Sequence, residues 1–243
     1  MNPLLLAVLL AWASVALTPL AVRLAGRFAG WPLAGLLLAP FGLVLAARTQ
    51  GVTEALLPWI PSYDVALRLR LDGLGFLFSV LILVIGAVVL VYSSSYIRAP
   101  RSPGFYALMT TFAAAMLTLV VADDLVVFFV AWELTTLASY LLILRSGPDA
   151  VGPATRTLMV TVAGGLALLG AVALIVVQTG TTHLTAALES PAWVENPTFA
   201  GATAVLVAVA AMTKSAQFPF HSWLPDAMEP AGLPPEERGD DND

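Results

Sequence analysis

The chain has 243 residues, of which 59% are hydrophobic and only 11% charged, with a mean hydropathy of +0.88; soluble domains carry about 25% charged residues, so an ordinary water-soluble enzyme is nearly excluded. The net charge of −5 is concentrated in Glu236, Glu237, Asp240, Asp241 and Asp243, opposed only by Arg238, so the body is close to neutral and no basic cluster exists to hold nucleic acid. Cysteine is absent and the only histidines are His183 and His221, which excludes disulfides, thiolate metal centres and a cysteine nucleophile and argues against a histidine-rich metal site. No cofactor and no metal are expected.

A hydrocarbon core of about 30 Å needs about 20 mainly apolar residues in a helix, and seven windows meet that length. The first two cover residues 3–22 and 28–47, joined by a short connection with Arg23 and Arg27. No Lys or Arg precedes the first, so it reads as a retained helix rather than a signal peptide. After a longer loop, roughly residues 48–71, a third span at 73–97 carries no charge. The fourth covers 105–122, the fifth 125–144 with Glu133 inside it, and the sixth 157–178. The seventh begins near Phe199, contains Lys214 and is broken near Pro219 before an apolar continuation to Met228. The expected fold is all-α and integral to the membrane. Three stretches are expected: residues 1–71 with two helices and an outer loop, a core at 72–229 with helices three to seven, and an acidic disordered tail at 230–243.

Counting Lys and Arg in short loops sets the orientation. Arg23 and Arg27, Arg98 and Arg101, and Arg145 and Arg156 lie in odd loops. Asp123 and Asp124, and Glu189 and Glu195, lie in even loops without a base. The odd loops are therefore assigned to the cytoplasm and the amino terminus to the outside, which leaves the tail inside. Loop two, with Arg48, Arg68 and Arg70 against Glu54, Asp64 and Asp72, weakens the count without reversing it. Tyr92 and Tyr96 fit the inner interface, and Trp59, Tyr63 and Trp193 the outer one.

Glu133 lies about 12 Å into its span at 1.5 Å per residue. An ionised carboxylate there costs at least about 2.5 kcal/mol, so the group must be neutral, paired or facing water. One reading is a proton-switching residue; the other is a protonated acid that only hydrogen-bonds a neighbouring helix. Lys214 lies about 22 Å along its helix from Phe199, near the centre of the span, where a lysine that merely reached back to the interface is not expected. The two form a natural intramembrane pair whose attraction changes with protonation. Pro219 removes a backbone donor just after Lys214, and broken membrane helices line polar cavities or ion pathways. His221, beyond the break, suits a proton carrier because imidazole titrates near neutral pH, and suits a structural hydrogen bond equally well. Asp226 reads as interfacial. Asp72, Asp123 and Asp124 precede helices, as caps or first-turn acids do. Gly164 and Gly165 read as a close-packing site, since no phosphate-loop context accompanies them.

These residues carry a family resemblance. Trp132-Glu133-Leu134-Thr135-Thr136-Leu137-Ala138-Ser139-Tyr140 resembles the glutamate-bearing fifth helix of the proton-translocating antiporter family. Thr213-Lys214-Ser215-Ala216-Gln217-Phe218-Pro219-Phe220-His221-Ser222-Trp223-Leu224-Pro225-Asp226-Ala227-Met228-Glu229 resembles its broken seventh helix. The family comprises the large subunits of Mrp-type Na+/H+ antiporters and the antiporter-like subunits of respiratory complex I. The Trp-Glu-Leu-Thr form, with Leu71-Asp72-Gly73-Leu74 opening the third helix, is most similar to the Mrp A type.

The resemblance implies that Glu133 and Lys214 are the central proton-relay pair and that His221 is a recurrent position, while Asp72, Asp123, Asp124 and Asp226 are taken from their own placement as supporting residues. It also implies other antiporter subunits as partners, with H+ and Na+ as the transported ions in the cytoplasmic membrane of a bacterium or archaeon. The similarity runs from about Leu71 to Glu229. It stops before the eighth helix and the second inverted repeat of full members, so an incomplete antiporter-like fold is expected, with a separately encoded remainder as a further partner. Two alternatives stay open: a proton-pumping subunit of a complex I-type oxidoreductase, and a non-conducting assembly subunit.

Overall fold

A computed structural model describes residues 2–51, 54–60, 65–96 and 103–228. The expected tail at 230–243, the loop arginines Arg98 and Arg101, and Tyr63 lie outside the described residues, as do the side chains of Trp59 and Tyr96. Seven helices among the described residues are long and apolar enough to cross a membrane. They are α1 (Pro3–Ala25), α2 (Gly30–Thr49), α3 (Gly73–Tyr96), α4 (Pro103–Val121), α5 (Leu125–Leu144), α6 (Val151–Thr179) and, after the short α7 (Leu184–Leu188) and α8 (Ala192–Glu195), α9 (Pro197–Lys214). Helices dominate because lipid offers no partner for backbone N–H and C=O groups, and a helix satisfies them within itself. The chain is thus a multipass, all-α membrane protein in its spans.

The first segment is a packed helix. Asn2 caps α1 by accepting from the amide of Leu4 at 2.9 Å, with Pro3 in the first turn, where its missing donor costs nothing. Its buried side chains Leu4, Ala7, Val8 and Ala11 join Leu33 and Leu37 of α2, Leu83 and Leu90 of α3, and Leu117 of α4 in one apolar core. Several hydroxyl and indole groups in this unit bond locally or to one another. The Trp12 indole donates to the Thr118 hydroxyl at 3.0 Å, and the Thr18 and Thr110 hydroxyls meet at 3.2 Å.

Helices α5, α6 and α9 pack differently. Their buried positions include many that are small or hydroxylic: Ala131, Thr135 and Ala138; Thr157, Thr161, Gly164 and Gly165; Thr203, Ala210 and Thr213. Within lipid the hydrophobic effect does little to join helices, so close approach through small residues carries the association. A compact apolar cluster of Leu125, Val172, Ile175, Ala187 and Phe199 closes this unit at one end.

The structure departs from the sequence reading in three places. Loop two contains an antiparallel hairpin, β1 (Glu54–Ile60) and β2 (Val65–Arg70), pairing Glu54 with Arg70 and Leu57 with Leu67. The alternation Leu67-Arg68-Leu69-Arg70 carries its period-two signal, with Leu69 buried and Arg70 exposed. The sixth helix begins at Val151 rather than Thr157, so Arg156 lies on the helix and not in the loop before it. Loop six holds the two short helices α7 and α8, and the Trp193 indole donates to the carbonyl of Ala187 at 2.7 Å.

The break in the seventh span falls where it was expected. Helix α9 stops at Lys214, Ala216 takes a left-handed φ of 48°, and α10 (Trp223–Met228) resumes after the turn. The turn bonds carbonyls at the end of α9. Gln217 donates its amide to Met212 at 3.0 Å, and the Trp223 indole folds back onto the carbonyl of Thr213 at 2.9 Å.

Candidate functional site

Glu133 of α5 and Lys214 of α9 come together against α6. The carboxylate rests on Gly165, where an added methyl group would sit 2.0 Å from Oε1. One residue earlier, a methyl group on Gly164 would sit 1.8 Å from the Thr213 hydroxyl. Neither position accepts even alanine without displacement, so the glycine pair is what lets α5 and α9 close onto α6. The sequence reading of this pair as a packing device agrees with that geometry.

The pair is not a direct ion pair. Among the described residues, Lys214 Nζ donates to the Thr135 hydroxyl at 2.8 Å and lies 5.3 Å from the centre of the Trp132 ring. Glu133 Oε1 is buried with no hydrogen-bond partner among the described residues, and the Trp132 indole nitrogen is likewise buried and unpartnered. Buried polar atoms are nearly always bonded, and an exception marks a strained or functional position. The site therefore holds an acid with unused acceptor capacity and a cation held beside it, at the end of a broken helix.

The other predicted residues lie elsewhere. Asp72 accepts from the amide of Gly75 at 2.6 Å, and Asp124 accepts from Val126 at 2.9 Å, so both cap the helices they precede. Asp124 also accepts from Thr182 at 2.8 Å and lies 3.7 Å from Arg68. Asp123 departs from its expected role, since it is Asp124 that caps α5. The Asp123 carboxylate reaches across to α7, accepting from the amide and hydroxyl of Thr185 at 3.0 and 2.6 Å and meeting the His183 ring at 2.9 Å. Backbone bonds from Asp123 to Arg68, Leu184 to Asp123 and Leu125 to Thr182 stitch loops two, four and six together at one end of the molecule. Asp226 pairs with Arg156 at the start of α6. His221 is exposed and stacks on Phe218, with ring centres 5.9 Å apart; no hydrogen bond or ion pair among the described residues links it to Glu133 or Lys214.

Sequence reasoning missed Thr135 and Trp132 as partners of Lys214, because contacts between helices carry no local signal. One signal was legible: Lys214 is the only lysine in the chain, beside ten arginines.

Residues 59–107 match the family described as NADH-ubiquinone oxidoreductase (complex I), chain 5 N-terminus, and residues 122–235 match that described as NADH:quinone oxidoreductase/Mrp antiporter, TM. The chain belongs to the NADH:quinone oxidoreductase/Mrp antiporter family. Within this family it corresponds to the N-terminal part of the Mrp A-type subunit. It is 41% identical over 186 residues to the A-type subunit of the Na+/H+ antiporter of Alkalihalophilus pseudofirmus, covering 74% of this chain and 23% of that one. Against the A1-type subunit of the Na+/H+ antiporter of Staphylococcus aureus it is 37% identical over 190 residues, 77% of this chain and 24% of the relative.

A chain in the solved Mrp complex from Dietzia sp. DQ12-45-1b is 53% identical with a TM-score of 0.86, covering 93% of this chain and 25% of that one. A chain of the archaeal membrane-bound sulfane sulfur reductase is similar in fold, with a TM-score of 0.77 at 22% identity over 93% of this chain and 36% of that one. The chain spans about a quarter of the length of the curated relatives it matches.

Proposed function

We propose that this chain supplies the first stretch of a proton path in an Mrp-type multisubunit Na+/H+ antiporter, as a transporter component rather than an enzyme. The carrying observation is the intramembrane acid with an unbonded buried oxygen beside the chain's one lysine, across a glycine seam and next to a helix break. Protonation of Glu133 removes its pull on the ammonium; loss of that proton restores it, and the lysine moves in response. His221, exposed at the break, is the onward carrier in this reading. The aspartates act by fixing helix ends and loops.

The partners proposed are the other components of the antiporter, in the cytoplasmic membrane, with H+ and Na+ exchanged. The amino terminus lies outside. Supporting that orientation, two of the three bases that weakened the count, Arg68 and Arg70, are engaged by Asp124 and by the Thr185 hydroxyl at 2.7 Å. A complex I-type proton pump is the second reading, favoured by the match of residues 59–107 to the chain 5 family.

The test is sodium-dependent proton flux in everted vesicles holding the complete complex, with the chain at matched abundance in every sample. Glu133→Gln and Lys214→Ala are each expected to reduce flux to the level of vesicles lacking the chain. Full flux in both variants would give the chain a role in assembly alone, and proton movement without sodium dependence would favour the pump.

A further inference from the structure

The ammonium of Lys214 is held on α5 by a surface that does not include Glu133. Residues two apart on a helix point roughly 200° away from one another, whereas residues three apart share a face. Glu133 accordingly faces Gly165 of α6, while Trp132 and Thr135 together face Lys214 of α9. The Thr135 hydroxyl is committed as a donor to the carbonyl of Trp132 at 2.7 Å. Its oxygen lone pairs are therefore left to accept from the ammonium at 2.8 Å. Thr135 is 2% exposed, so water does not substitute readily for that bond. The Trp132 face adds attraction that exists for the ammonium and not for a neutral amine.

From this geometry we infer that Thr135, with the Trp132 ring, is a positioning site that holds the Lys214 ammonium away from Glu133, giving the lysine two alternative seats on one helix. The inference rests on the proposed proton path. The lysine leaves the acid for a built partner, not for lipid or an unstructured gap. Without the second seat the ammonium stays with the carboxylate, and the exchange of partners that drives proton movement slows. Thr135 touches no transported proton here; it acts through Lys214.

The experiment has two parts. In the vesicle assay at matched abundance, Thr135→Val, which keeps shape and removes the acceptor, is expected to lower flux roughly tenfold or more, the scale of a lost hydrogen bond to a charged group. Thr135→Ser, which keeps the acceptor, is expected to restore flux to within about twofold of the parent on the same bond-energy scale. Equal losses in Val and Ser variants, or parental flux in Val while Lys214→Ala is inactive, would overturn the inference and leave the proton path standing.

The second part does not depend on flux. In the full chain reconstituted in lipid with 15N-lysine, the lone lysine yields one side-chain Nζ resonance. That resonance is expected to show proximity to Thr135 in the parent, to move in Thr135→Val, and to return in Thr135→Ser. Adding Glu133→Gln to Thr135→Val is expected to move it again, since the acid is then the remaining seat. A resonance unmoved by Thr135→Val would refute the second seat, whatever the flux shows.

Discussion

Asp124 and Glu133 are nine residues apart on the same stretch of chain, roughly 13 Å along the α5 axis, and they are treated in opposite ways. Asp124 is fully buried and heavily engaged: two helix amides, the Thr182 hydroxyl and the Arg68 guanidinium converge on it. Glu133 is only half-buried, yet its inner oxygen has no partner among the described residues and its cation is held by a threonine two residues on. A saturated carboxylate is a fastener, because its lone pairs are committed and any change costs stability. An unsaturated one beside a separately held cation is free to change state. Burial alone does not tell the two apart; the hydrogen bonds do.

Substitutions sharpen this contrast, and the largest expected effect is on transport alone. Glu133→Gln is expected to abolish sodium-dependent proton flux while thermal unfolding of the purified chain in lipid shifts by less than about 1 kcal/mol, since the unbonded oxygen has no bond to lose. A large loss of stability in that variant would show Glu133 to be a fastener too. Asp124→Ala is expected to show the reverse. Removing both the cap and the carboxylate that faces the mostly buried Arg68 costs about 3–5 kcal/mol, read as lower abundance and unfolding temperature, with flux per surviving copy of the chain unchanged.

Gly164→Ala is expected to cost about 1–3 kcal/mol, because the added methyl collides with the β-branched Thr213 side chain and forces α9 outward. It is measured by the same unfolding assay. The smallest effect belongs to Asp226→Asn. The Arg156–Asp226 pair is partly exposed, and loss of such a pair changes stability by about 0–1 kcal/mol, diminishing further with added salt.

Much of the fold was legible in the sequence because a bilayer imposes one strong rule: each spanning segment must be long, apolar and helical. The seven spans, the cap residues Asp72 and Asp124, and the break after Lys214 all follow from residues read locally. The hairpin was not, since its short Leu/Arg alternation sits in a loop interrupted by Pro58, and strand pairing needs a partner that local reading does not supply. Asp123 was misassigned for a related reason. It stands beside a true cap, and only the approach of α7 reveals that its acceptors serve a helix 62 residues further along the chain.

The sequence by itself determined that an acid and the chain's one lysine lie within membrane spans, and that a proline interrupts the second of these, because charge and helix breaking are properties of single residues. Which groups meet was decided by tertiary structure. Gly164 and Gly165 bring α5 and α9 onto one helix, the register of that contact sets Lys214 against Thr135 and Trp132, and Glu133 is turned toward a bare glycine with an oxygen unbonded. Register between helices depends on the fit of whole surfaces, and no single residue encodes it.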